Sequence, residues 1–354
     1  MADSARKYSN TKYALSILDT VFSLVFLVVF LGLGFSRFFA ERFSFPLYLL
    51  IVSIIYYLIN FPLNFYQSHI LEHKFSLSKQ NIPQWLVDQL KSGVLSYIIG
   101  VILVSAFYLI LKYNPGTWWL VISAFWIFFS LILAKLVPVV IIPLFFKYKK
   151  LSDETLRGRI IALADKMKIK ILDCFEIDFS KKTLKANAAF VGMGNTKRVI
   201  LADTLKDKYS HDEIEVILAH EFSHYKLKHL PVLILVNSFF TIICFYLIFK
   251  TSDYALALFN LSSLSDLAAL PLVFIYFVLF GLVTQPFTNL ISRKLEKDAD
   301  RMALEVTGSK DAFISMMGKL SSQNLADRKP HPLIKIFFFD HPPIDERINL
   351  ARGN

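Results

Sequence analysis

The chain has 354 residues, 55% of them hydrophobic and 34 of them Phe, with a mean hydropathy of +0.49 and a formal net charge of +11. So apolar a composition excludes an ordinary soluble domain and indicates a membrane protein. The positive charge is spread among loops and no nucleic-acid-binding motif is present. Nucleic acid is therefore not expected as a partner, whereas membrane lipids are.

Six segments are long and apolar enough to cross a hydrocarbon core, which takes roughly 20 residues. The predicted spans are residues 15–36, 46–66, 93–111, 118–146, 230–250 and 268–290. Buried core helices of a soluble protein are the alternative. We disfavour it because so many apolar helices would have no amphipathic helices around them.

The charges of the loops predict the orientation of these spans. Lys147, Lys149 and Lys150 follow the fourth span directly, whereas the 251–268 segment contains no Lys or Arg. Positively charged loops lie on the cytoplasmic side of a membrane. The segments placed in the cytoplasm are both termini, the 67–92 loop and the 148–229 region. No cleavable signal peptide is expected, so the first span is retained.

Several polar side chains lie in or near the N-terminal spans. Asp19 and Asn64 either face protein or water at membrane depth or are solvated near the membrane surface, and both interpretations stay open. Lys135 lies in the middle of the fourth span and is expected to snorkel to the surface, to pair with another group or to face a wet cavity. His69 and His73 are four residues apart in the 67–92 loop. No acidic base or third ligand accompanies them, so we interpret them as surface histidines.

Between the fourth and fifth spans the sequence changes character. Residues 152–170 predict a short amphipathic helix that starts at Ser152, and residues 171–177 alternate in polarity as a strand does. A strand at 187–194, a turn at 195–196 and a strand at 198–201 complete a small antiparallel sheet. This sheet is either a structural hairpin or the source of an edge strand that binds an extended peptide.

Residues 218–224 read L-A-H-E-F-S-H. In a helix, His220 and His224 lie one turn apart on the same face and can hold one metal ion. Glu221 lies beside them and can act as general base toward a water that the metal polarises. Ser210, with Glu213 three residues later, predicts a capping box at the start of this helix.

A catalytic zinc needs three protein ligands and one open position. The sixth span continues out of the membrane through residues 292–301 and ends at Gly308. Glu296 is the preferred third ligand, because Asp300 lies one turn further on and can orient a ligand histidine through its second nitrogen. The residues alone leave other candidates open, namely Glu176, Asp203, Asp298 and His341.

Four motifs in this order resemble the type-I CAAX prenyl endopeptidases, which are integral-membrane zinc metalloproteases of the gluzincin group. They are N-A-A-F-V-G-M-G-N-T-K-R-V-I-L-A-D-T-L at 187–205, H-E-F-S-H-Y-K-L-K-H at 220–229, S-R-K-L-E-K-D-A-D at 292–300 and H-P-P-I-D-E-R-I at 341–348. The resemblance extends over essentially the whole chain.

The resemblance implies that Glu296 is the third zinc ligand and that Asp300 supports the ligands without binding the zinc itself. It implies that Asn187 lies near the substrate main chain, and that His341 and Arg347 line the site, with His341 stabilising the oxyanion. It further implies helices that enclose a large water-filled chamber, with the zinc on the cytoplasmic side.

The chain departs from the family pattern at three places. The family usually has seven spans, and six are predicted here, without the usual first. Ser76 stands where the family has Gly, and Asp340 where Ser or Thr is usual before His-Pro-Pro. These differences concern the chamber wall and the substrate range and not the zinc chemistry.

The predicted fold is an all-α multi-pass membrane protein whose helices enclose a chamber, with the small antiparallel sheet and the zinc-protease helices on the cytoplasmic side. Two regions are expected: a four-span region at 1–147 with its 67–92 loop, and a metallopeptidase region at 148–354 that includes the spans at 230–250 and 268–290. Residues 187–191 are expected to form the edge strand, with Asn187, Ala188 and Ala189 contacting the peptide.

The predicted function is a zinc metalloendopeptidase, with one Zn²⁺ per chain, that cleaves peptides or membrane proteins, including prenylated ones. Two other functions stay open: a zinc-binding chamber or transporter without catalysis, and a quality-control protease of the bacterial heat-shock type. The expected location is the inner membrane of a bacterium or the endoplasmic reticulum of a eukaryote.

Overall fold

The computed structural model describes residues 2–192 and 197–353, which fold mainly as helices. The helices are α1 (Ala2–Gly32), α2 (Phe35–Ala40), α3 (Phe45–Phe65), α4 (Leu71–Lys74), α5 (Ile82–Tyr113), α6 (Trp118–Leu136), α7 (Ile142–Phe145), α8 (Glu154–Lys166), α9 (Asp203–Lys206), α10 (His211–Lys226), α11 (His229–Leu258), α12 (Leu270–Thr307), α13 (Lys310–Gln323), α14 (Pro332–Phe338) and α15 (Ile344–Arg352). One π-helical turn, Tyr66–Ile70, joins α3 to α4, and another, Val137–Ile141, joins α6 to α7.

In the described residues, six helical segments are long and apolar enough to cross a membrane, which confirms the number of predicted spans. They are Asp3–Gly32, Phe45–Lys74, Ile82–Tyr113, Trp118–Phe145, His229–Leu258 and Leu267–Thr307. Large apolar side chains on them are exposed, among them Leu58 at 63% and Leu235 at 70%. Such exposure is expected of surfaces that face lipid. The chain is therefore a multi-pass membrane protein.

Helix α12 reaches beyond the membrane, as the sequence predicted. Its 38 residues span about 57 Å at 1.5 Å per residue, nearly twice the thickness of a hydrocarbon core. The helix ends at Gly308, whose left-handed conformation (φ 66°) stops it. Helix α12 thus runs from the membrane region to Glu296, which lies in its part beyond the membrane.

The sheet is mixed and not purely antiparallel as predicted. Its strands are β1 (Tyr148–Lys150), β2 (Asp173–Ile177), β3 (Ala188–Val191) and β4 (Arg198–Ala202), in the order β1-β2-β4-β3. Strand β2 pairs parallel with β4, and the other two pairs are antiparallel. The chain leaves β2, forms the edge strand β3 and returns between them as β4, so β4 runs parallel to β2.

Two details of this region differ from the predictions. Strand β1 was not predicted, because three residues are too few to show alternation. Helix α8 begins at Glu154, two residues later than predicted, because Asp153 caps it: the Asp153 carboxylate accepts a hydrogen bond from the backbone N–H of Leu156 (2.8 Å). The predicted turn at Asn195 and Thr196 and the end of the predicted strand at Met193 and Gly194 lie outside the described residues.

The sheet, α8, α10 and α13 share an apolar core. Cys174, Leu201, Leu218 and Phe313 are fully buried in it. Burial of these side chains fixes α10 against the sheet and α13, because each would otherwise expose its apolar surface to water. The position of α10 decides where its histidines lie.

Polar side chains of the membrane helices pair with one another. Asn60 donates its side-chain N–H to the Asp19 carboxylate (3.0 Å), and Asn64 donates to the Gln89 side-chain oxygen (3.1 Å). Asp19 and Asn64 therefore have partners on neighbouring helices. Lys135 and His73 are exposed.

Candidate metal centre and active site

Helix α10 begins with the predicted capping box. Ser210 Oγ accepts a hydrogen bond from the Glu213 N–H (3.3 Å), and the Glu213 carboxylate accepts one from the Ser210 N–H (2.8 Å). Burial raises the pKa of Glu213, but hydrogen bonds from Lys319, Ser315 and Ser210 outweigh burial and lower that pKa below its ordinary value. The capping box thus satisfies two backbone N–H groups at the start of α10.

Three ligand atoms converge where α10 crosses α12. The Nε2 atoms of His220 and His224 are 3.1 Å apart. Glu296 Oε2 lies 3.1 Å from His220 Nε2, and Glu296 Oε1 lies 3.2 Å from His224 Nε2. Among the described residues, these three form the cluster that can hold a metal ion.

The other proposed third ligands have different surroundings. Glu176 is bound by Lys149 (2.9 Å) and Lys206 (3.0 Å), and Asp203 accepts hydrogen bonds from Ser180. Asp298 pairs with Arg301 (3.1 Å). His341 Nε2 lies 3.4 Å from Glu296 Oε1, beside the cluster.

The geometry of the cluster fits a divalent metal. A tetrahedral zinc with bonds of about 2.0–2.1 Å places its ligand atoms about 3.3 Å apart, close to the separations found here. Two imidazoles and one carboxylate are a ligand set that zinc accepts. Glu296 Oε2 is buried and accepts no hydrogen bond within the described part of the chain, so a cation would satisfy it.

Behind His220 lies a buried ion pair. Asp300 is fully buried, and its Oδ1 lies 2.9 Å from His220 Nδ1. Arg347 donates to both oxygens of Asp300, at 2.8 Å from Nε and 2.6 Å from the second amino group. Burial lowers the pKa of His220, but the Asp300 and Glu296 carboxylates outweigh burial and raise that pKa to about 9. A metal ion held at Nε2 would displace that proton. This arrangement directs His220 Nε2 toward Glu296.

Behind His224 lies a residue that sequence reasoning missed. His229 Nδ1 is 2.9 Å from His224 Nδ1, and His229 is buried. In an unbroken helix, the fifth residue along would lie about 140° around the axis from His224. The left-handed conformation of Lys228 (φ 57°) separates α10 from α11 and brings His229 back to His224. The sequence pattern does not show this break, so it assigns no role to His229.

Glu221 is half-buried and stands next to the ligands without belonging to the converging set. Burial raises the pKa of its carboxyl above the ordinary value. A carboxylate with a raised pKa is a stronger base than one in water, as a general base requires.

Helix α12 also positions the C-terminal segment. Asn289 donates to the carbonyls of Ile336 (3.0 Å) and Phe337 (2.9 Å), and Arg293 donates to those of Lys335 (3.0 Å) and Phe339 (2.6 Å). These bonds satisfy the Ile336 and Phe337 carbonyls at the end of α14, which have no partner within the helix. The Lys335 carbonyl also accepts a hydrogen bond from the Phe339 N–H (3.3 Å). The chain then places His341 beside Glu296.

Sequence reasoning also missed Asn289 and Arg293. A signal was available, because Asn289, Arg293, Glu296 and Asp300 recur at the spacing of one helix face. All four are buried. One face of α12 thus holds the C-terminal segment, the candidate ligand and the ion pair behind it.

The predicted edge strand lies beside α10. Strand β3 is the last strand of the sheet, and Phe190 packs edge-to-face on Phe222, the neighbour of Glu221, with ring centroids 5.0 Å apart. Asn187, which precedes β3, is exposed, and Ala188 and Ala189 are half-buried. The structure therefore brings the edge strand and the candidate base to the same part of the molecule.

Comparison with known proteins gives a consistent family. Residues 150–354 match the family described as Peptidase family M48, and residues 2–147 match the CAAX prenyl protease N-terminal family, described as five membrane helices. Each match covers one of the two regions that the sequence suggested.

Individual relatives agree with these matches. The chain is 33% identical to an uncharacterized metalloprotease YhfN of Bacillus subtilis, over 86% of this chain and 72% of that protein. It is 31% identical to CAAX prenyl protease 1 of Saccharomyces cerevisiae, over 82% of this chain and 68% of that protein. The crystal structure of S. mikatae Ste24p aligns with a TM-score of 0.88 and 26% identity, over 98% of this chain and 88% of that chain.

Proposed function

The chain belongs to peptidase family M48 and is a membrane metalloprotease of the CAAX prenyl protease type, and we propose that it is an endopeptidase that uses one Zn²⁺ held by His220, His224 and Glu296. The observation that carries the proposal is the convergence of three candidate ligands, with Glu221 alongside. The two Nε2 atoms are 3.1 Å apart, and each has a Glu296 carboxylate oxygen within 3.2 Å. A zinc-binding chamber without catalysis would not need a carboxyl group in that position.

The residues around the ligands have distinct tasks. A zinc ion bound there supplies Lewis-acid polarisation of a water molecule and of the scissile carbonyl. Glu221 removes a proton from the attacking water and delivers it to the leaving amine. His341 donates a hydrogen bond to the oxygen on which negative charge develops. Arg347 holds Asp300, and Asp300 fixes the orientation of His220.

The substrate is an extended peptide that adds to the edge of β3. Main-chain pairing tolerates many side chains, and the small Ala188 and Ala189 leave room for them. Asn187 is exposed and supplies a side-chain amide to the peptide main chain near the cut. Cleavage therefore tolerates many substrate sequences but requires the substrate to be extended. Peptides and membrane-protein segments, prenylated or not, meet this requirement.

We place the active site on the cytoplasmic side. The 251–268 segment, which contains no Lys or Arg, is expected outside the cytoplasm, and the active site lies across the membrane from it. That membrane is the inner membrane in a bacterium or the endoplasmic reticulum in a eukaryote. A cysteine in place of Ser263 is then labelled from outside, and one in place of Ser322 only after permeabilisation. The reverse pattern of labelling would contradict this orientation.

The division into a membrane region, 1–147, and a metallopeptidase region, 148–354, remains our proposal. Its support is that the two family matches cover 2–147 and 150–354.

The test of the function is cleavage of a matched pair of peptides, one farnesylated and one unprenylated, by the purified full chain. The zinc-loaded protein should cut within the peptide, chelation should stop cleavage, and added zinc should restore it. The Glu221→Gln protein should keep its zinc and lose at least about 10³-fold in rate. The ratio of the cleavage rates of the two peptides shows whether the prenyl group is recognised.

Two results would contradict the proposal. Undiminished cleavage by Glu221→Gln would remove the general base from the mechanism. A zinc-loaded chain that cuts neither peptide would favour the zinc-binding chamber. Asn187→Ala separates binding from chemistry, because it should slow cleavage severalfold while the zinc stays bound.

A further inference from the structure

The direction of the hydrogen bonds in β3 shows which residues face its open edge. The Ala202 N–H donates to the Asn187 carbonyl (3.0 Å), so the polar main-chain atoms of Asn187 point toward β4. In an antiparallel pair, this direction alternates from one residue to the next. The N–H and C=O groups of Ala188 and Phe190 therefore point to the outer edge, where an added strand would pair.

The same edge is already occupied just before β3. The Leu184 N–H donates to the Leu77 carbonyl (2.9 Å), and Ser78 and Thr183 form an antiparallel bridge. The Leu184 carbonyl accepts a hydrogen bond from the Gln323 side chain (2.6 Å). A loop of the membrane region and the end of α13 thus take the place of a neighbouring strand at Leu184.

At Ala186, the next residue whose main-chain groups face the outer edge, the side chain of Asn324 takes the place of a neighbouring strand. The Ala186 N–H donates to Asn324 Oδ1 (3.0 Å), and Asn324 Nδ2 makes a longer contact with the Ala186 carbonyl (3.5 Å). A side-chain amide offers one acceptor and a donor side by side, as the main chain of a pairing strand does. Asn324 therefore covers both main-chain groups of Ala186.

The surroundings of Asn324 hold it in place. Asn324 ends α13, and Leu325 follows in the left-handed conformation (φ 49°). Ser9, near the start of α1, donates to the Leu325 carbonyl (3.1 Å), and the Ala326 N–H donates to the Ser321 carbonyl (2.9 Å). The turn that carries Asn324 is thus fixed by its own helix and by the first membrane helix.

We propose that Asn324 terminates the peptide-binding edge of β3 and so limits the main-chain pairing of a bound peptide to Ala188 and Phe190. The proposal rests on the proposed pairing of peptide with β3. A bound peptide pairs with Ala188 and Phe190 and is excluded from Ala186. Asn324 therefore sets the end of the main-chain stretch with which a substrate can pair, on the strand whose Phe190 packs on Phe222, the neighbour of Glu221.

The test is an ester scan of the unprenylated peptide that the zinc-loaded full chain cleaves. Each peptide N–H outside the scissile bond is replaced in turn by oxygen, which removes one donor. The unmutated chain should show two sensitive positions, two residues apart, each losing roughly fivefold in kcat/KM. Asn324→Ala should add a third sensitive position, two residues beyond one of them, where the freed Ala186 carbonyl accepts the peptide N–H.

Control variants make the result specific. Gln323→Ala frees the Leu184 carbonyl but leaves its N–H bound to Leu77, so it should keep the two-position pattern. Asn324→Ser is too short to reach both groups of Ala186 and should give the same third position as Asn324→Ala, and it replaces that variant if Asn324→Ala loses zinc or folds poorly.

The outcomes separate this inference from the function on which it rests. Two sensitive positions that stay unchanged in both Asn324 variants would overturn the role of Asn324 and leave pairing with β3 intact. A flat scan with the unmutated chain would overturn the pairing itself.

Discussion

The candidate metal centre and the proposed peptide-binding edge are neighbours built on different principles. At the metal centre, Glu296 is 6% exposed and Asp300 is fully buried, and each has a defined charged or imidazole neighbour. At the edge, Asn187 is exposed and Ala188 is half-buried, and the groups offered to a peptide belong to the main chain.

This difference has a chemical consequence. Charged side chains removed from water must be paired, so a substitution in the metal centre leaves an uncompensated partner. Main-chain groups at a sheet edge are the same for every residue except proline, so substitutions there change shape and register more than chemistry. We therefore expect substitutions in the metal centre to have large, all-or-none effects on zinc binding and cleavage, and substitutions at the edge to have smaller, graded effects on cleavage.

The largest effect is expected from the candidate third ligand. Glu296→Ala should strip the zinc and abolish cleavage, because two histidines alone hold the ion poorly. Asp298→Ala is the matched control, since Asp298 lies two residues further on and pairs with Arg301 instead. Metal analysis of both purified proteins decides the matter, and equal zinc contents would rule out Glu296 as a ligand.

The ion pair behind His220 should have the next largest effect. Arg347→Lys keeps the charge but loses the two-point grip on Asp300. Zinc affinity, measured by competition with a chelator, should fall roughly 10–100-fold. Arg301→Lys serves as the control, because Arg301 pairs with the half-buried Asp298 away from the ligands. An unchanged affinity in Arg347→Lys would show that the pair only stabilises the fold.

His229 should have a smaller effect of the same kind. His229→Ala removes the partner of His224 Nδ1, and zinc affinity should fall roughly tenfold. His229→Gln can still bond to that nitrogen and should recover part of the loss. Equal affinities of the Ala variant and the unmutated chain would mean that His224 is oriented by its surroundings alone.

The last effect is on stability and not on zinc affinity, and it concerns the link between the two regions. Glu213 of α10 accepts hydrogen bonds from Lys319 (2.6 Å) and Ser315 (2.7 Å) of α13, the helix that ends at Asn324. Glu213→Gln should cost about 1–3 kcal/mol of stability at pH 7, measured as a lower Tm. Glu215→Gln is the control, because Glu215 is more exposed and pairs with Arg159.

The pH dependence of this effect has a defined sign. The pKa of Glu213 is lowered in the folded chain, so its stabilisation is present above the unfolded pKa of about 4.3. That stabilisation is lost as the pH falls through the folded pKa. The difference in Tm between the unmutated chain and Glu213→Gln should therefore narrow below about pH 4. A difference that stays constant would show that the charge of Glu213 does not contribute.

The membrane spans and helix α10 could be predicted from the sequence for a physical reason. Hydropathy and helical spacing are local properties, and His220, Glu221 and His224 lie within one turn and a half of helix. The parallel pairing of β2 with β4 could not be predicted, because it depends on where β3 is placed. His229 and Asn324 were missed because their partners become neighbours only through a helix break and through contacts between distant segments.

The most direct test of the account is a structure of the zinc-loaded Glu221→Gln protein with an uncleaved peptide bound. The account predicts zinc on His220, His224 and Glu296, and a peptide paired with Ala188 and Phe190 that does not pair with Ala186. A peptide that contacts only the membrane helices, or a zinc ion held by other residues, would contradict it.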